Sequence, residues 1–280
     1  MDRTVNVSES RRHSQETKPN WLPIQRRFVM SMKIVVIGGT GLIGSKLIQK
    51  LTARGYEAVA AAPNTGVNTL TGEGLAEVLT GASVVVDVSN SPSFEEKAVM
   101  DFFQTSTRNL LAYEAKAGVQ HHVALSVVGT DRLQESAYFR AKIAQEKLIQ
   151  ESSIPYSIIH ATQFFEFVKM IADAGTDGSL VSVPPVFIQP MAADDVAKAV
   201  GRVAVGAPVN GIVEVGGPER FRLDEFIREG LRARNDPRQV IADPKALYFD
   251  AKLSEDTLVP GDEARLGEIR FAEWLHPVTV

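Results

Sequence analysis

The chain has 280 residues, no cysteine, and a net charge of −4 from 34 acidic and 30 basic residues. This length suits one α/β domain with a sizeable core, and the lack of cysteine excludes disulfides, thiolate nucleophiles and cysteine metal sites. Nucleic acid is not an expected partner, because its affinity comes mainly from neutralised phosphates and the chain has no long basic run. No apolar run reaches membrane-spanning length, so we expect no membrane span.

Residues 1–31 differ in kind from the rest of the chain, being polar and without periodicity. They lack the apolar segment of a secretory signal, and Asp2, Glu9 and Glu16 are unusual in an organellar transit peptide. Met30 and Met32 are alternative starts of the chain, since the first apolar run begins only after them. We predict a disordered or loosely packed tail over 1–31, followed by a single cytoplasmic domain over 32–280.

A glycine-rich turn follows directly on the apolar run of residues 33–37, and helical periodicity begins directly after it. In this strand–turn–helix context, the G-x-G-x-x-G pattern predicts a dinucleotide site. The glycines let the backbone approach a pyrophosphate, and the free N–H groups of the helix N-terminus face the anion. The predicted cofactor contacts of the turn are Gly38, Gly39, Thr40, Gly41, Leu42, Ile43 and Gly44.

The second predicted strand, residues 57–62, ends where dinucleotide-binding proteins often carry an acidic residue for the ribose 2′-hydroxyl. This chain has Ala62, Pro63, Asn64 and Thr65 there instead. No carboxylate stands there to repel a 2′-phosphate, and Asn64 and Thr65 are able to donate hydrogen bonds to one. We therefore expect NADP in preference to NAD, although the two side chains also suit an ordinary surface turn.

A third buried strand, residues 83–88, is followed by Ser89 and Asn90, which we expect near the cofactor at the carboxyl edge of the sheet. A long helix is predicted over 95–117, with phenylalanines and leucines that suit either the core or a dimer face. The protein is therefore expected to be a monomer or a homodimer. His121 and His122 are adjacent at a strand start, unlike a helical zinc pair. We interpret them as surface or strand-edge residues, and no metal site is predicted.

Ser126, Tyr138 and Lys142 form a candidate catalytic set. Tyr138 and Lys142 are four residues apart in a helical segment, so the phenol and the ammonium share one helix face. A cation beside a tyrosine favours the phenolate and moves its pKa toward working pH. Ser126 ends an apolar run, where it is expected to hold a carbonyl oxygen. A pair at this spacing is common on any exposed helix, but the serine and the dinucleotide turn favour catalysis.

These residues resemble the short-chain dehydrogenase/reductase superfamily, in its atypical NmrA-like branch. The resemblance covers about residues 32–275 and includes the glycine turn, the serine–tyrosine–lysine set and the Thr107–Leu111 segment. It implies a Rossmann-type domain whose C-terminal part, residues 161–280, contributes most of a small substrate lobe. It also implies that Lys142 contacts the cofactor ribose. Many NmrA-like members lack one of the three catalytic residues and act as cofactor sensors. Because this chain keeps all three, it is expected to be an enzyme.

One segment departs from the family pattern, because His160 stands where relatives commonly carry arginine. His160 either replaces the arginine in a contact to cofactor or substrate, or is a satisfied strand-end histidine. The segment after it lies where relatives line the substrate cleft. It supplies the remaining substrate candidates, namely Gln163, Phe164 and Phe165, although aromatic clusters are more often core.

The sequence thus predicts an α/β fold with a Rossmann-type doubly wound parallel sheet and a small C-terminal substrate lobe. The expected function is NAD(P)H-dependent reduction of a small-molecule carbonyl or quinone by hydride transfer, with Tyr138 as the proton donor. One alternative is a non-catalytic sensor of the dinucleotide redox state. The other is a sugar-nucleotide epimerase or dehydratase, against which the lack of an arginine-rich diphosphate clamp weighs weakly.

Overall fold

The computed structural model of the protein describes residues 1–2 and 31–276. The predicted N-terminal tail lies almost wholly outside the described residues. The strands are β1 (Lys33–Ile37), β2 (Glu57–Ala61), β3 (Val84–Asp87), β4 (His121–Val127), β5 (Tyr156–Ala161), β6 (Thr176–Asp177), β7 (Leu180–Val183), β8 (Phe187–Ile188), β9 (Gly211–Gly216), β10 (Phe221–Arg222), β11 (Gln239–Ala242) and β12 (Arg265–Leu266). The helices are α1 (Leu42–Ala53), α2 (Leu75–Leu79), α3 (Glu96–Ala117), α4 (Ala137–Gln150), α5 (Val168–Ala174), α6 (Ala193–Ala204), α7 (Leu223–Arg232) and α8 (Phe271–Leu275).

Seven strands form the central sheet in the order β2-β1-β3-β4-β5-β9-β12, and every neighbouring pair is parallel. The chain starts at β1, steps outward to β2, and then returns to place β3 on the other side of β1. The direction of winding therefore reverses between β1 and β3. In open α/β sheets, ligands bind outside the carboxyl ends of the strands at such a switch point. The predicted doubly wound fold is confirmed.

Alternate residues of β1 face the two helical layers, as the two-residue period of a strand requires. Ile34 and Val36 belong to a core with α1 and α6, whereas Val35 and Ile37 belong to a second core with α2 and α3. All four side chains are buried, which explains why the strand is an uninterrupted apolar run. The glycine turn at the end of β1 is thus fixed between two packed layers.

A third core forms the lobe, built from α5, α7, α8 and two small sheets, β10-β8 and β11-β7-β6. The lobe does not take up the whole of residues 161–280. Between its segments, α6 returns to pack on α1, and β9 and β12 extend the central sheet. The lobe is therefore tied to the sheet at several points rather than attached as a separate tail.

The prediction that His121 and His122 are surface or strand-edge residues is wrong, because both are buried in β4. His122 Nδ1 lies 2.9 Å from the Glu114 carboxylate, and His121 Nε2 lies 2.9 Å from Ser157 Oγ. Burial on its own would lower the pKa of His122, but the Glu114 charge overcomes this and raises it. The His122–Glu114 contact joins α3 to β4, and the His121–Ser157 contact joins β4 to β5, both at the opposite end of the sheet from the carboxyl edge.

Within the residues that the structure describes, no helix is both long and apolar enough to cross a membrane.

Candidate functional site

The glycine turn carries the chain from β1 into α1 and leaves the start of that helix open. Gly38 has a φ of +74°, and Gly41, the residue before the helix, receives no side-chain cap. The first amides of a helix have no partner within it, so those of Leu42, Ile43 and Gly44 are available to an anion. Thr40 and Leu42 are exposed at the same place.

The glycines of the turn have different reasons to be glycine. A Cβ at Gly39 would lie 2.7 Å from Val36 O, and one at Gly44 would lie 2.2 Å from Gly38 O. These two positions are therefore required by the packing of the turn itself. A Cβ at Gly41 would meet only Gly38 O, at 3.3 Å, and would otherwise project into open space. Gly41 thus opens the cradle that a pyrophosphate requires, and the turn fits a dinucleotide.

Asn64 and Thr65 lie in a short 3₁₀ turn after β2, beside the glycine turn. The Thr65 hydroxyl is used within this turn, since it accepts from Ala62 N at 2.9 Å and donates to a local carbonyl. Asn64 Oδ1 accepts a hydrogen bond from Thr40 Oγ1 at 3.1 Å. This bond ties the two turns together and leaves the Asn64 amide N–H groups to face solvent or a ligand.

The loop after β3 packs directly against the glycine turn, because a Cβ at Gly38 would lie 2.9 Å from Ser89 Cα. Ser89 donates to the Asp87 carboxylate from both its amide, at 2.9 Å, and its hydroxyl, at 2.6 Å. Asn90 is exposed at the end of this loop. Ser89 and Asn90 thus lie at the carboxyl edge near the switch point, where the sequence analysis expects cofactor contacts.

Lys142 on α4 is only 2% exposed and points into the carboxyl end of the sheet. Its Nζ donates to Leu125 O at 2.9 Å and to Gln145 Oε1, and it lies 4.5 Å from the centre of the Phe103 ring. Burial lowers the pKa of Lys142 to about 8, although the nearby Asp87 and Glu146 carboxylates oppose the shift. An ammonium has three N–H donors, so one is left for a ligand such as a ribose hydroxyl.

Tyr138 lies one helical turn before Lys142, with its ring packed among Phe94, Phe103 and Phe139. The expected lowering of its pKa by Lys142 is not found. Burial raises the pKa of the phenol, and the ammonium makes its hydrogen bonds to Gln145 and a backbone carbonyl. The phenol therefore stays protonated at neutral pH, which suits a proton donor and not a base.

Ser126 and His160 are neighbours in the register of β4 and β5, and both bond to Glu146 of α4. The Ser126 hydroxyl donates to Glu146 Oε1, and His160 Nε2 lies 3.0 Å from the same oxygen. Burial alone would raise the pKa of Glu146, but these two hydrogen bonds and the charge of Lys142 lower it. His160 is thus a buried strand-end histidine with a carboxylate partner.

This arrangement corrects the role expected of Ser126, because its only O–H donor is committed to Glu146 and is not free for a carbonyl oxygen. Sequence reasoning missed Glu146, Gln145 and Asp87. Glu146 was within its reach, since it continues the four-residue spacing of Tyr138 and Lys142 along one face of α4.

Of the three substrate candidates after β5, only Gln163 brings polar atoms to the site. It is 7% exposed, and within residues 31–276 neither its amide oxygen nor its nitrogen has a hydrogen-bond partner. Phe164 is partly buried and stacks on Phe167. Phe165 is fully buried in the lobe core against the aromatic rings of α7 and α8, so it is a core residue and not part of a cleft.

The part of the chain that the structure describes contains no group of three histidine or acidic residues able to hold a metal ion.

A family model described as NAD(P)H-binding matches residues 38–204, more than half of the chain. Among curated proteins, the photosystem II assembly factor Ycf39 of Cyanophora paradoxa is 24% identical over 149 residues, which are 48% of this chain and 46% of that protein. The chain thus matches about half the length of this relative.

Two solved structures illustrate the likeness of fold. A dTDP-glucose 4,6-dehydratase, DesIV of Streptomyces venezuelae, superposes with a TM-score of 0.66 at 17% identity, covering 86% of this chain and 94% of that one. The NADPH-dependent quinone oxidoreductase QOR2 of Escherichia coli gives a TM-score of 0.59 at 19% identity, covering 75% and 77%. This chain belongs to the NAD(P)H-binding family, and the predicted resemblance to NmrA-like short-chain dehydrogenases/reductases is confirmed.

Proposed function

We propose that this protein is an NAD(P)H-dependent oxidoreductase that reduces a carbonyl or quinone of a small molecule. The observation that carries the proposal is the buried Lys142 of α4, one helical turn after Tyr138. It donates to Leu125 O in β4 and connects through Gln145 and Asp87 to the loop that packs against the glycine turn. A buried ammonium is costly, so a fold that keeps one at a ligand crevice favours a functional role for it.

In the proposed reaction, the side chains of the protein supply the proton and position the cofactor and the substrate. A bound reduced nicotinamide supplies the hydride. Tyr138 donates its phenolic proton to the carbonyl oxygen, and the half-buried ring then recovers a proton from solvent. Lys142 holds the ribose with its remaining N–H. Ser126 fixes Glu146, which in turn neutralises part of the Lys142 charge.

NADP is the proposed cofactor, with NAD as the alternative. The support is the absence of a carboxylate in residues 61–66 and the free amide of Asn64, which is held toward the glycine turn by Thr40. Thr65 contributes to this site by shaping the turn. A small-molecule substrate, a cytoplasmic location and a monomeric or homodimeric state remain predictions.

A non-catalytic redox sensor is the second candidate. Two observations favour it: the Ser126 donor is already occupied, and the curated relative that matches about half of the chain is an assembly factor. A sugar-nucleotide epimerase or dehydratase is supported only by the likeness of fold.

Gly41→Ala should abolish NADPH binding and leave the protein folded, because the added methyl group enters only the open side of the turn. Gly44→Ala is the matched variant, and its methyl group collides with Gly38 O. It should lower the free energy of unfolding by about 1–3 kcal/mol, the usual range for overpacking. Calorimetric titration and urea unfolding of both variants test this. A folded Gly41→Ala protein with unchanged affinity would exclude the pyrophosphate site.

Asn64→Asp should weaken NADPH binding about tenfold relative to NADH, since like charges close together near a protein surface repel by more than 1 kcal/mol. Asn235→Asp adds the same charge in the lobe and should leave the ratio of the two dissociation constants unchanged. The ratio is measured by titration with each cofactor. Equal affinities of the wild-type protein for NADPH and NADH would defeat the proposed preference.

Tyr138→Phe should reduce turnover by roughly two to four orders of magnitude with NADPH affinity retained, since it removes only the proton donor. Lys142→Met should lower both turnover and affinity. Tyr156→Phe is the control, because Tyr156 is also half-buried but lies at the amino end of β5. NADPH oxidation is followed by absorbance with a panel of aldehydes, ketones and quinones. A wild-type protein that binds NADPH but turns over no compound of the panel would support the sensor instead.

A further inference from the structure

The reduction of a carbonyl needs hydrogen-bond donors at its oxygen, and the described site has one fewer than the sequence analysis expects. The Ser126 hydroxyl donates its only hydrogen bond to Glu146. Tyr138 is then the member of the catalytic set that remains to donate a proton to a substrate oxygen. Because a carbonyl oxygen has two lone pairs, a second donor has a place to bind.

Gln163, just beyond β5, carries buried amide groups that have no hydrogen-bond partner among the described residues. Its backbone is fixed just beyond β5 by a hydrogen bond from Met191 N to Gln163 O at 2.9 Å. Its amide side chain is more than nine-tenths buried, with neither polar atom in a hydrogen bond of acceptable geometry to a described residue. A buried amide without partners is unfavourable, so it points to a ligand that supplies them.

Tyr248 of the lobe brings a second phenol to the same place. It is 6% exposed and belongs to the lobe core against which Tyr138 packs, and the Gln163 amide and the Tyr138 phenol both influence its pKa. Burial raises the pKa of Tyr248, as it does that of Tyr138, so both phenols are donors at neutral pH. The two phenols and the Gln163 amide therefore supply uncharged hydrogen-bonding groups to this part of the protein.

A tight turn holds Tyr248 in this position. Tyr248 and Ala251 exchange two backbone hydrogen bonds, of 2.9 and 3.0 Å, across the residues Phe249 and Asp250. Both of these have left-handed backbone conformations, with φ of 45° and 69°. A two-residue type I′ turn requires such conformations at both central positions, and they are unusual only for the bulky Phe249.

The neighbouring wall is aromatic. Phe94 is 51% exposed, and its ring lies 5.6 Å from that of Tyr138. An exposed phenylalanine against a half-buried tyrosine offers a flat apolar surface to a conjugated ligand. Uncharged donors beside aromatic rings suit a neutral ligand better than a diphosphate.

We propose that Gln163 and Tyr248 are the specificity-determining residues of the substrate site, which binds a neutral, conjugated carbonyl compound such as a quinone. The amide and the second phenol hold the carbonyl oxygen together with Tyr138, in the place of the committed Ser126 hydroxyl. The inference rests on the proposed function, because it assigns the substrate side of the same site.

The test compares Gln163→Met and Tyr248→Phe with the wild-type protein, using menadione as the neutral quinone and UDP-glucose as the anionic probe. In calorimetric titrations, each substitution should weaken menadione binding at least tenfold and leave the NADPH dissociation constant within twofold. Gln163→Met is nearly isosteric and removes the unpaired amide, so it should melt no lower than the wild-type protein. Tyr156→Phe should change none of these values.

The proposal is overturned if both variants bind menadione as the wild-type protein does, or if the wild-type protein binds UDP-glucose in preference to menadione or binds no menadione. A lower melting temperature of Gln163→Met also contradicts it, because the amide would then have a structural partner. Failure of the proposed function gives a different result, in which menadione binds as expected but no NADPH is oxidised.

Discussion

The buried ammonium of Lys142 is the constraint on which the candidate site depends. A charge removed from water is tolerated only where hydrogen bonds and opposite charges compensate it. Here the compensation comes from Leu125 O, the Gln145 amide and the carboxylates of Asp87 and Glu146. Because these groups belong to β3, β4 and α4, the ammonium fixes one face of α4 against the carboxyl ends of the central strands.

The hydrogen bonds that stabilise the Lys142 ammonium also connect the loop beside the glycine turn to the candidate catalytic residues. Lys142 donates to Gln145, Gln145 donates to Asp87 at 3.0 Å, and Asp87 also holds the Ser89 loop against the glycine turn. A second branch runs through Glu146 to Ser126 and His160. The hydrogen bonds that make the buried charge tolerable therefore also decide which donors remain for a substrate. The Ser126 hydroxyl donates to Glu146, so the phenols and Gln163 remain as the groups proposed to bind the substrate.

The parts of this account that could be predicted from the sequence are local. The glycine turn, its flanking strand and helix, and the shared face of Tyr138 and Lys142 all follow from spacing within one segment. The commitment of Ser126 to Glu146 could not be predicted, because the bond joins a strand to a helix across a packed interface. The pKa of Tyr138 was missed for the same reason: burial among rings from several elements outweighs a lysine one turn away. Phe165 and the two buried histidines depend likewise on tertiary packing.

The buried network is tested most directly by the pKa of the Lys142 ammonium, measured by NMR titration of labelled lysine side chains in the folded protein and assigned with Lys142→Arg. A midpoint near pH 8 is expected, against an ordinary value of 10.5, because burial favours the neutral amine. The folded state then binds fewer protons than the unfolded state between these values, so the free energy of unfolding should rise with pH across that range. A midpoint at the ordinary value would show that the ammonium is solvated, which would contradict the buried network and the site built on it.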